Sequence, residues 1–259
     1  MKISVILVVY NSSDEIDFAI QSLIEQETGD YQLDVVLLDN GSNDADQTIT
    51  ILRDTMVKLN NLGIPTKVTS LVKTRKDNSA WLYGSKLSRG VWSCFLQPNC
   101  FYRANYLKNI ALTIDTYYSN YDIILSKVQI VQVDKDIYQE RSYDPSLWQK
   151  KEKDIIGIGD MKLAPFLSTC FRKDIIKQLV IGTEHDMWVD IINKDLKLAY
   201  ANVDSGVLVM GEKLNTRKRK ALFNHFSRGK NHWKSIPRAT EKKIITISVK
   251  NPSLSAQKI

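Results

Sequence analysis

The chain opens with two short apolar blocks separated by a segment of different rhythm. Ile3 to Val9 is apolar except for Ser4, and Leu33 to Leu38 is apolar except for Asp34. Nearly continuous apolar runs of this length, bounded by turn formers, mark strands buried on both faces of a parallel sheet. Between them, Asp14 to Glu27 carries Ile16, Ala19, Ile20, Leu23 and Ile24 at helical spacing, with Ser12 or Ser13 placed to cap it. Ala45 to Leu62 repeats that rhythm through Ile49, Leu52, Met56 and Leu59 until Gly63 and Pro65 stop it. Lys67 to Val72 is a third, weaker strand. Strands alternating with helices, one crossover per unit, predict parallel strands with right-handed connections.

Further on, Asn78 to Ser88 reads as a helix ended by Gly90. Trp92 to Leu96 reads as a strand broken by Gln97-Pro98-Asn99-Cys100. Ala104 to Tyr118 is a predicted helix and Asp122 to Val133 a longer strand. From Tyr138 to Ile158 the pattern dissolves into charges and Pro145, which predicts loops, with a lid as one use for them. Pro165 to Phe171 is a strand and Thr183 to Asn193 a helix. Lys197 to Val203 and Gly206 to Met210 are two short strands, and Leu214 to Trp233 is a basic helix. The residues after Asn251 are rich in Ser, Pro and Lys and are expected to fray.

Composition narrows the class. At 259 residues, 43% hydrophobic and 25% charged, the chain reads as an ordinary soluble globular protein. No apolar run nears the roughly 20 residues of a membrane span. The N-terminal run passes straight into polar residues without a small-residue cleavage site, so it reads as a strand and not a signal peptide. Cys94, Cys100 and Cys170 are odd in number and form no C-x-x-C, which fits a reducing cytosol and argues against a disulfide framework or zinc site. The net charge of +7 is concentrated: Lys213 to Lys243 holds eleven Lys/Arg against Glu241 alone, leaving the rest slightly acidic. That asymmetry points to an anionic partner for the C-terminal part. No nucleic-acid-binding module is recognisable, so the charge run is not read as a nucleic-acid site. Neither G-x-G-x-x-G after the first strand nor a P-loop is present.

The chemistry gathers where the second apolar run breaks into Asp39-Asn40-Gly41-Ser42-Asn43-Asp44. Asp39 falls at a strand end, where open α/β sheets bind ligands, and is expected to face a crevice. Ser42, Asn43 or Asp44 is placed to cap the next helix. These residues, with the opening Ile3 to Asn11, resemble the first two strands and turns of family-2 glycosyltransferases. Gly84 to Gly90 with Trp92 to Asn99 is similar to the family's helix, strand and metal-motif turn. Phe171-Arg172-Lys173-Asp174 and Glu184-His185-Asp186-Met187-Trp188 are similar to two landmarks of its acceptor half.

The resemblance covers roughly residues 1–210. It implies a GT-A, Rossmann-like α/β fold: a mostly parallel central sheet flanked by helices, here followed by a basic helical C-terminal segment. It divides the chain into a GT-A domain over 1–211, with nucleotide-binding (1–100) and acceptor (101–211) halves, and an extension over 212–259. The implied activity is inverting transfer of a sugar from a nucleotide-diphosphate donor, most simply a UDP-sugar, to a glycan, lipid-linked or protein-linked acceptor. By the same resemblance Asp39 accepts the uracil N3–H, and Tyr10 and Asn11 line the base and ribose. Gln97 and Asn99 occupy the turn that in the family holds Mg²⁺ or Mn²⁺ against the diphosphate. Here that turn has lost its carboxylate, and Asn99 is left as a neutral candidate ligand.

Two further functions need residues. Direct displacement needs a base for the acceptor hydroxyl. Aligned through Trp188, the family base falls on Glu184; aligned through Thr183-Glu184, it falls on His185; Asp186 is the third candidate. The leaving diphosphate needs positive charge, and Arg217, Lys218 and Arg219 offer it. The same segment, with Leu222, Phe223, Phe226 and Trp233 among its charges, also suits attachment to an anionic membrane surface or a partner glycosyltransferase. That places the chain in the cytoplasm, at the inner face of the membrane. Loss of the metal carboxylate keeps a second reading open, a non-catalytic GT-A-like subunit that binds a partner glycosyltransferase or a glycan.

Overall fold

The computed structural model describes residues 1–75, 79–118, 120–134, 137–143, 166–179, 182, 186–187, 190–191, 194, 196–211 and 215–227. The first half follows the predicted alternation. Strand β1 (Lys2–Val9) leads to helix α1 (Asp17–Ile24), β2 (Gln32–Asp39), α2 (Gln47–Asn61), β3 (Thr66–Ser70), α3 (Ser79–Leu87) and β4 (Trp92–Leu96). The order β3-β2-β1-β4 is parallel throughout, with Val9 opposite Asp39 and Asp39 opposite Ser70. The carboxyl ends of these four strands therefore share one edge.

The second half turns the sheet mixed. It comprises β5 (Cys100–Tyr102), α4 (Tyr106–Thr113) running into a π-helical turn (Ile114–Tyr118), β6 (Ile123–Asp134) and β7 (Ile137–Tyr143). After a 3-10 turn (Phe166–Ser168) come β8 (Thr169–Arg172), a single helical turn α5 (Lys173–Ile176), β9 (Leu198–Gly211) and α6 (Thr216–Ser227). The sheet continues β4-β8-β6-β9-β5: β8 is antiparallel to β4 and β6, β9 is parallel to β6, and β7 pairs antiparallel with β6 beyond the end of β8.

Several expectations are corrected. Ser12 and Ser13 do not cap α1 through their side chains: Ile16 is the N-cap, with no side-chain cap bond, and the Ser12 hydroxyl donates to the Tyr10 carbonyl. Cys100, expected in a turn, starts β5, a strand of three residues and too short to show a period. Tyr138 to Tyr143, expected as loop, is strand β7; positions 144–158 lie outside the described residues. The two short strands after Lys197 are one, β9. Asp204 to Gly206 is an irregularity within it, facing the register shifts around Lys127, and not a turn. Gly206 is required there because the neighbouring strand β5, with Tyr102 opposite, lies close: a Cβ would stand 2.1 Å from the Phe101 carbonyl oxygen.

The polar residue inside the second apolar run also finds its reason. Asp34, 4% exposed, accepts from the Ser4 hydroxyl and from the Arg89 N–H (3.1 Å), while Gly90 N–H donates to Ser4 Oγ at 2.7 Å. This buried network ties the turn after α3 to the start of β1 and β2. A Cβ on Gly90 would lie 2.5 Å from Ser4 N and 2.6 Å from Ser4 Oγ. Gly90→Ala is therefore expected to cost about 1–3 kcal/mol, the usual range for overpacking, read as a lowered melting temperature.

Candidate active site

The sheet edge formed by the ends of β1 to β4 brings together the first group of predicted residues. Asp39 ends β2 and is 2% exposed. One carboxylate oxygen accepts from Ser42 N–H at 3.0 Å and the other from the Ser70 hydroxyl at 2.6 Å. Ser70 sits opposite Asp39 in the parallel register, so the pairing of β2 with β3 puts that hydroxyl there. Asn40 clasps the following segment in both directions, donating to Arg75 O at 2.9 Å and accepting from Arg75 N–H at 2.8 Å. Arg75 in turn lies over the Tyr83 ring at 4.5 Å. Gly41 takes φ +78°, and a Cβ there would meet Thr74 N at 2.9 Å. Segment 71–75 thus lies across the turn after Asp39, and the carboxylate is buried where a crevice was expected.

The turn after β1 is fixed to the turn after β2. Asn11, at φ 47°, donates from its main chain to Ser42 Oγ at 2.8 Å. Its side chain donates to Asn43 Oδ1 at 2.6 Å and accepts from Asn43 N–H at 2.8 Å. Asn11 is thereby a brace between the two turns, and Tyr10 beside it stays 45% exposed. Asp44 reaches the N-terminus of α2: its oxygens accept from Thr48 N–H at 3.2 Å and from the Thr48 hydroxyl, which itself accepts from Ser12 N–H at 3.0 Å. Burial pulls the Asp44 carboxyl up, but the Thr48 hydroxyl and N–H outweigh it and hold it below the ordinary range. The N-cap of α2 is Asp46, without a side-chain cap bond, and Asp44 serves the helix start from two residues earlier by accepting from Thr48.

Of the second group, Asn99 and Arg219 meet at a cleft of about 160 Å³ between α1, α6 and the junction of β5 and β9, whereas Gln97, Arg217 and Lys218 do not line it. Asn99, Met210, Glu15 and Arg219 line it, and Asp39 does not. Gln97 is half-buried and Asn99 exposed. Asn99 donates from its side chain to Val209 O at 2.8 Å, and its own carbonyl accepts from Val209 N–H at 3.0 Å. Arg219 is half-committed to structure. Its guanidinium donates to the carbonyls of Asp14 and Glu15 and lies 5.0 Å from the Phe18 ring centroid. Of its five N–H groups three remain. Arg217 is exposed, and Lys218 donates its main-chain N–H to Asn215 Oδ1 at 3.0 Å.

The metal-motif turn offers a divalent cation two neutral amides and no carboxylate, and among the described residues no group of three or more His, Cys, Asp or Glu side chains comes together. Asn99 clasps β9 through its side-chain nitrogen, and its side-chain oxygen is a neutral ligand atom. Leu222 and Phe223, which the sequence offered to a lipid interface, are 1% and 3% exposed. Phe223 packs at 5.2 Å from both Phe18 and Phe101, so this face of α6 is already covered by protein.

Of the base candidates, Asp186 is exposed and helical, while Glu184 and His185 lie outside the described residues. The Phe171–Asp174 landmark serves the scaffold. Phe171 is in the core, and Arg172 bridges Asp122 at 3.0 Å and Asp174 at 2.8 Å. Residues not anticipated from sequence include Ser70, Thr48, Val209 and Arg75. Ser70 had a signal, its register opposite Asp39; the carbonyls of Val209 and Arg75 had none.

Comparison with known proteins decides the family. The sequence profile described as Glycosyl transferase family 2 matches residues 4–179, more than half of the chain. The chain belongs to glycosyl transferase family 2. Its GT-A fold, α/β with a central sheet between helices, recurs in this family-2 chain's structural neighbours. S. aureus TarS 1–349 in complex with UDP-GlcNAc has a TM-score of 0.58 at 19% identity, covering 83% of this chain and 60% of that one. A mannosyltransferase from Pyrobaculum calidifontis, solved with GDP-Man and Mn²⁺, has a TM-score of 0.53 at 13% identity over 86% of this chain and 60% of that one. An uncharacterized glycosyltransferase of Mycoplasma genitalium is 30% identical over 105 residues, 38% of this chain and 32% of that protein. The match thus spans about a third of that relative's length. Among the described residues of this family-2 chain, no helix is long and apolar enough to cross a membrane.

Proposed function

We propose that the chain is an inverting glycosyltransferase moving a sugar from a UDP-sugar to a hydroxyl of a glycan, lipid-linked or protein-linked acceptor. The observation that carries this is the shared sheet edge of a family-2 fold, on which Asp39, the Tyr10–Asn11 turn and the Gln97–Asn99 turn all stand. A carboxylate has about four acceptor positions and Asp39, although buried, uses two on the chain itself, which leaves acceptor capacity for a uracil N3–H. Tyr10 offers a flat face to the base. Asn11 holds the turn that presents it. Gln97 and Asn99 border the diphosphate, and Arg217, Lys218 and the remaining N–H groups of Arg219 supply positive charge to it. One of Glu184, His185 and Asp186 takes the proton of the acceptor hydroxyl. That oxygen then attacks the anomeric carbon from the face opposite the diphosphate, and the bond from carbon to diphosphate oxygen breaks with inversion. The basic segment draws the enzyme to anionic lipid at the cytoplasmic face, or to a partner glycosyltransferase, by charge.

A non-catalytic, glycan- or partner-binding role is the second reading, favoured by the covered Asp39 carboxylate. Release of UDP from a set of UDP-sugars, with and without oligosaccharide and lipid-phosphate acceptors, separates the two. Turnover abolished by Asp39→Ala supports transfer. UDP binding without any turnover across the set supports the second reading.

A further inference from the structure

We propose that the chain binds its nucleotide-diphosphate donor without a divalent cation, because the position that would hold the metal is used as a clasp between the 97–99 turn and β9. This rests on the donor-site reading above. The main chain and side chain of Asn99 both pair with Val209: the side chain donates to the Val209 carbonyl at 2.8 Å, and the Asn99 carbonyl accepts from Val209 N–H at 3.0 Å. The pair extends the ladder in which Cys100 faces Leu208, so the turn is fastened to the end of β9 where the chain leaves for the basic segment. The clasp needs a donor at position 99. A carboxylate would face the Val209 carbonyl with an oxygen, acceptor against acceptor, and swapping the amide oxygen and nitrogen would do the same. A charged ligand at position 99 and this clasp exclude each other: the amide that closes the clasp with its nitrogen leaves only a neutral oxygen for a cation.

The remaining ligand atoms are poor. The amide oxygens of Asn99 and Gln97 lie 3.6 and 3.8 Å from the Cys100 sulfur. Burial pushes the Cys100 thiol well above its ordinary value, so it stays a neutral S–H and not a thiolate ligand. Glu15 is the acid that lines the cleft, and it shares it with the Arg219 guanidinium, near which Asp14 and Asp17 also stand. The carboxylates of Glu15, Asp14 and Asp17 share the Arg219 charge, and among the described residues they do not converge as a ligand set. Arg219 is itself held by the Asp14 and Glu15 carbonyls, so its charge is in place before any ligand arrives.

The test is titration calorimetry of UDP into the full chain, in EDTA and in MnCl₂, with melting curves of the wild type, Asn99→Ala and Asn99→Asp. The wild-type dissociation constants should agree within about twofold. Asn99→Asp should melt below Asn99→Ala without metal and rise on adding Mn²⁺, while the wild type stays unmoved. A tenfold loss of UDP affinity in EDTA, about 1.4 kcal/mol, overturns the proposal and leaves the donor-site reading standing. A wild-type melting temperature raised by Mn²⁺ as much as that of Asn99→Asp also overturns it. No UDP binding in either buffer removes the donor-site reading, and this inference with it.

Discussion

Asp39→Ala is expected to weaken UDP binding by about 100-fold and to abolish turnover. A hydrogen bond to a charged acceptor contributes about 1.5–3 kcal/mol, which covers roughly tenfold to a hundredfold in affinity. The upper end applies because the substitution also releases the turn that faces the base. Ser42 N–H and the Ser70 hydroxyl lose their common acceptor, and Ser42 Oγ is what holds the main chain of Asn11. The damage therefore spreads from the carboxylate to the Tyr10–Asn11 turn. Ser70→Ala separates these effects: it leaves the charge and removes only the orienting donor, so it should raise the UDP dissociation constant far less, and Ser70→Thr should restore it. Calorimetry reads the affinity, and circular dichroism checks that each variant is folded. If folded Asp39→Ala binds UDP as well as the wild type, Asp39 belongs to the scaffold and the donor lies elsewhere.

How much of this was legible in the chain depends on whether a residue's role is local. The parallel half was readable because β1, β2 and β4 are nearly pure apolar runs and the helices keep their period between clear stops, as at Gly63 and Pro65; β3, with Val68 as its one apolar residue, carried the weakest signal. Asp39 was readable for the same reason, since the end of a run marks the end of a strand. What surrounds it was not. Asn40 grips the main chain of Arg75 and holds segment 71–75 across the turn, and peptide groups carry no signature in the sequence. In the second half, β5 has three residues, and β9 continues through Asp204-Ser205-Gly206, a turn-like triplet whose Gly206 the close approach of its ladder neighbour β5 demands. A local reading sees the triplet and not the strand beside it.

The metal-motif turn shows the converse limit. The missing carboxylate was visible at once, and read alone it suggested a weakened copy of a familiar site. Its partner, the Val209 carbonyl, is 110 residues away and makes Asn99 a residue with its own task. Arg172 behaves similarly: what resembled an acceptor-half landmark is an ion-pair hub between β8 and the start of β6.

The largest effect on stability is expected at Phe223, and it decides what the basic helix is for. Phe223 and Leu222 are buried with Phe101, Val131, Val133 and Val207 in a small cluster apart from the main core, with Phe18 and Val209 packed against it. Truncating a buried Phe typically costs about 3–5 kcal/mol, and for a domain of this size each kcal/mol lowers the melting temperature by about 2–4 °C. Phe223→Ala should thus melt about 6–20 °C below the wild type. Lys220→Ala, at an exposed position on the same helix, should leave the melting temperature nearly unchanged. Vesicles of anionic lipid then test the charge. With the Leu222–Phe223 face spent on protein, the attraction that Arg217, Lys218 and Lys220 offer is electrostatic, so binding should fall steeply with salt and should not weaken in Phe223→Ala. The opposite pair of results, an unchanged melting temperature and lost vesicle binding in Phe223→Ala, would mean that this face leaves the cluster to enter lipid and that α6 is an interfacial helix after all.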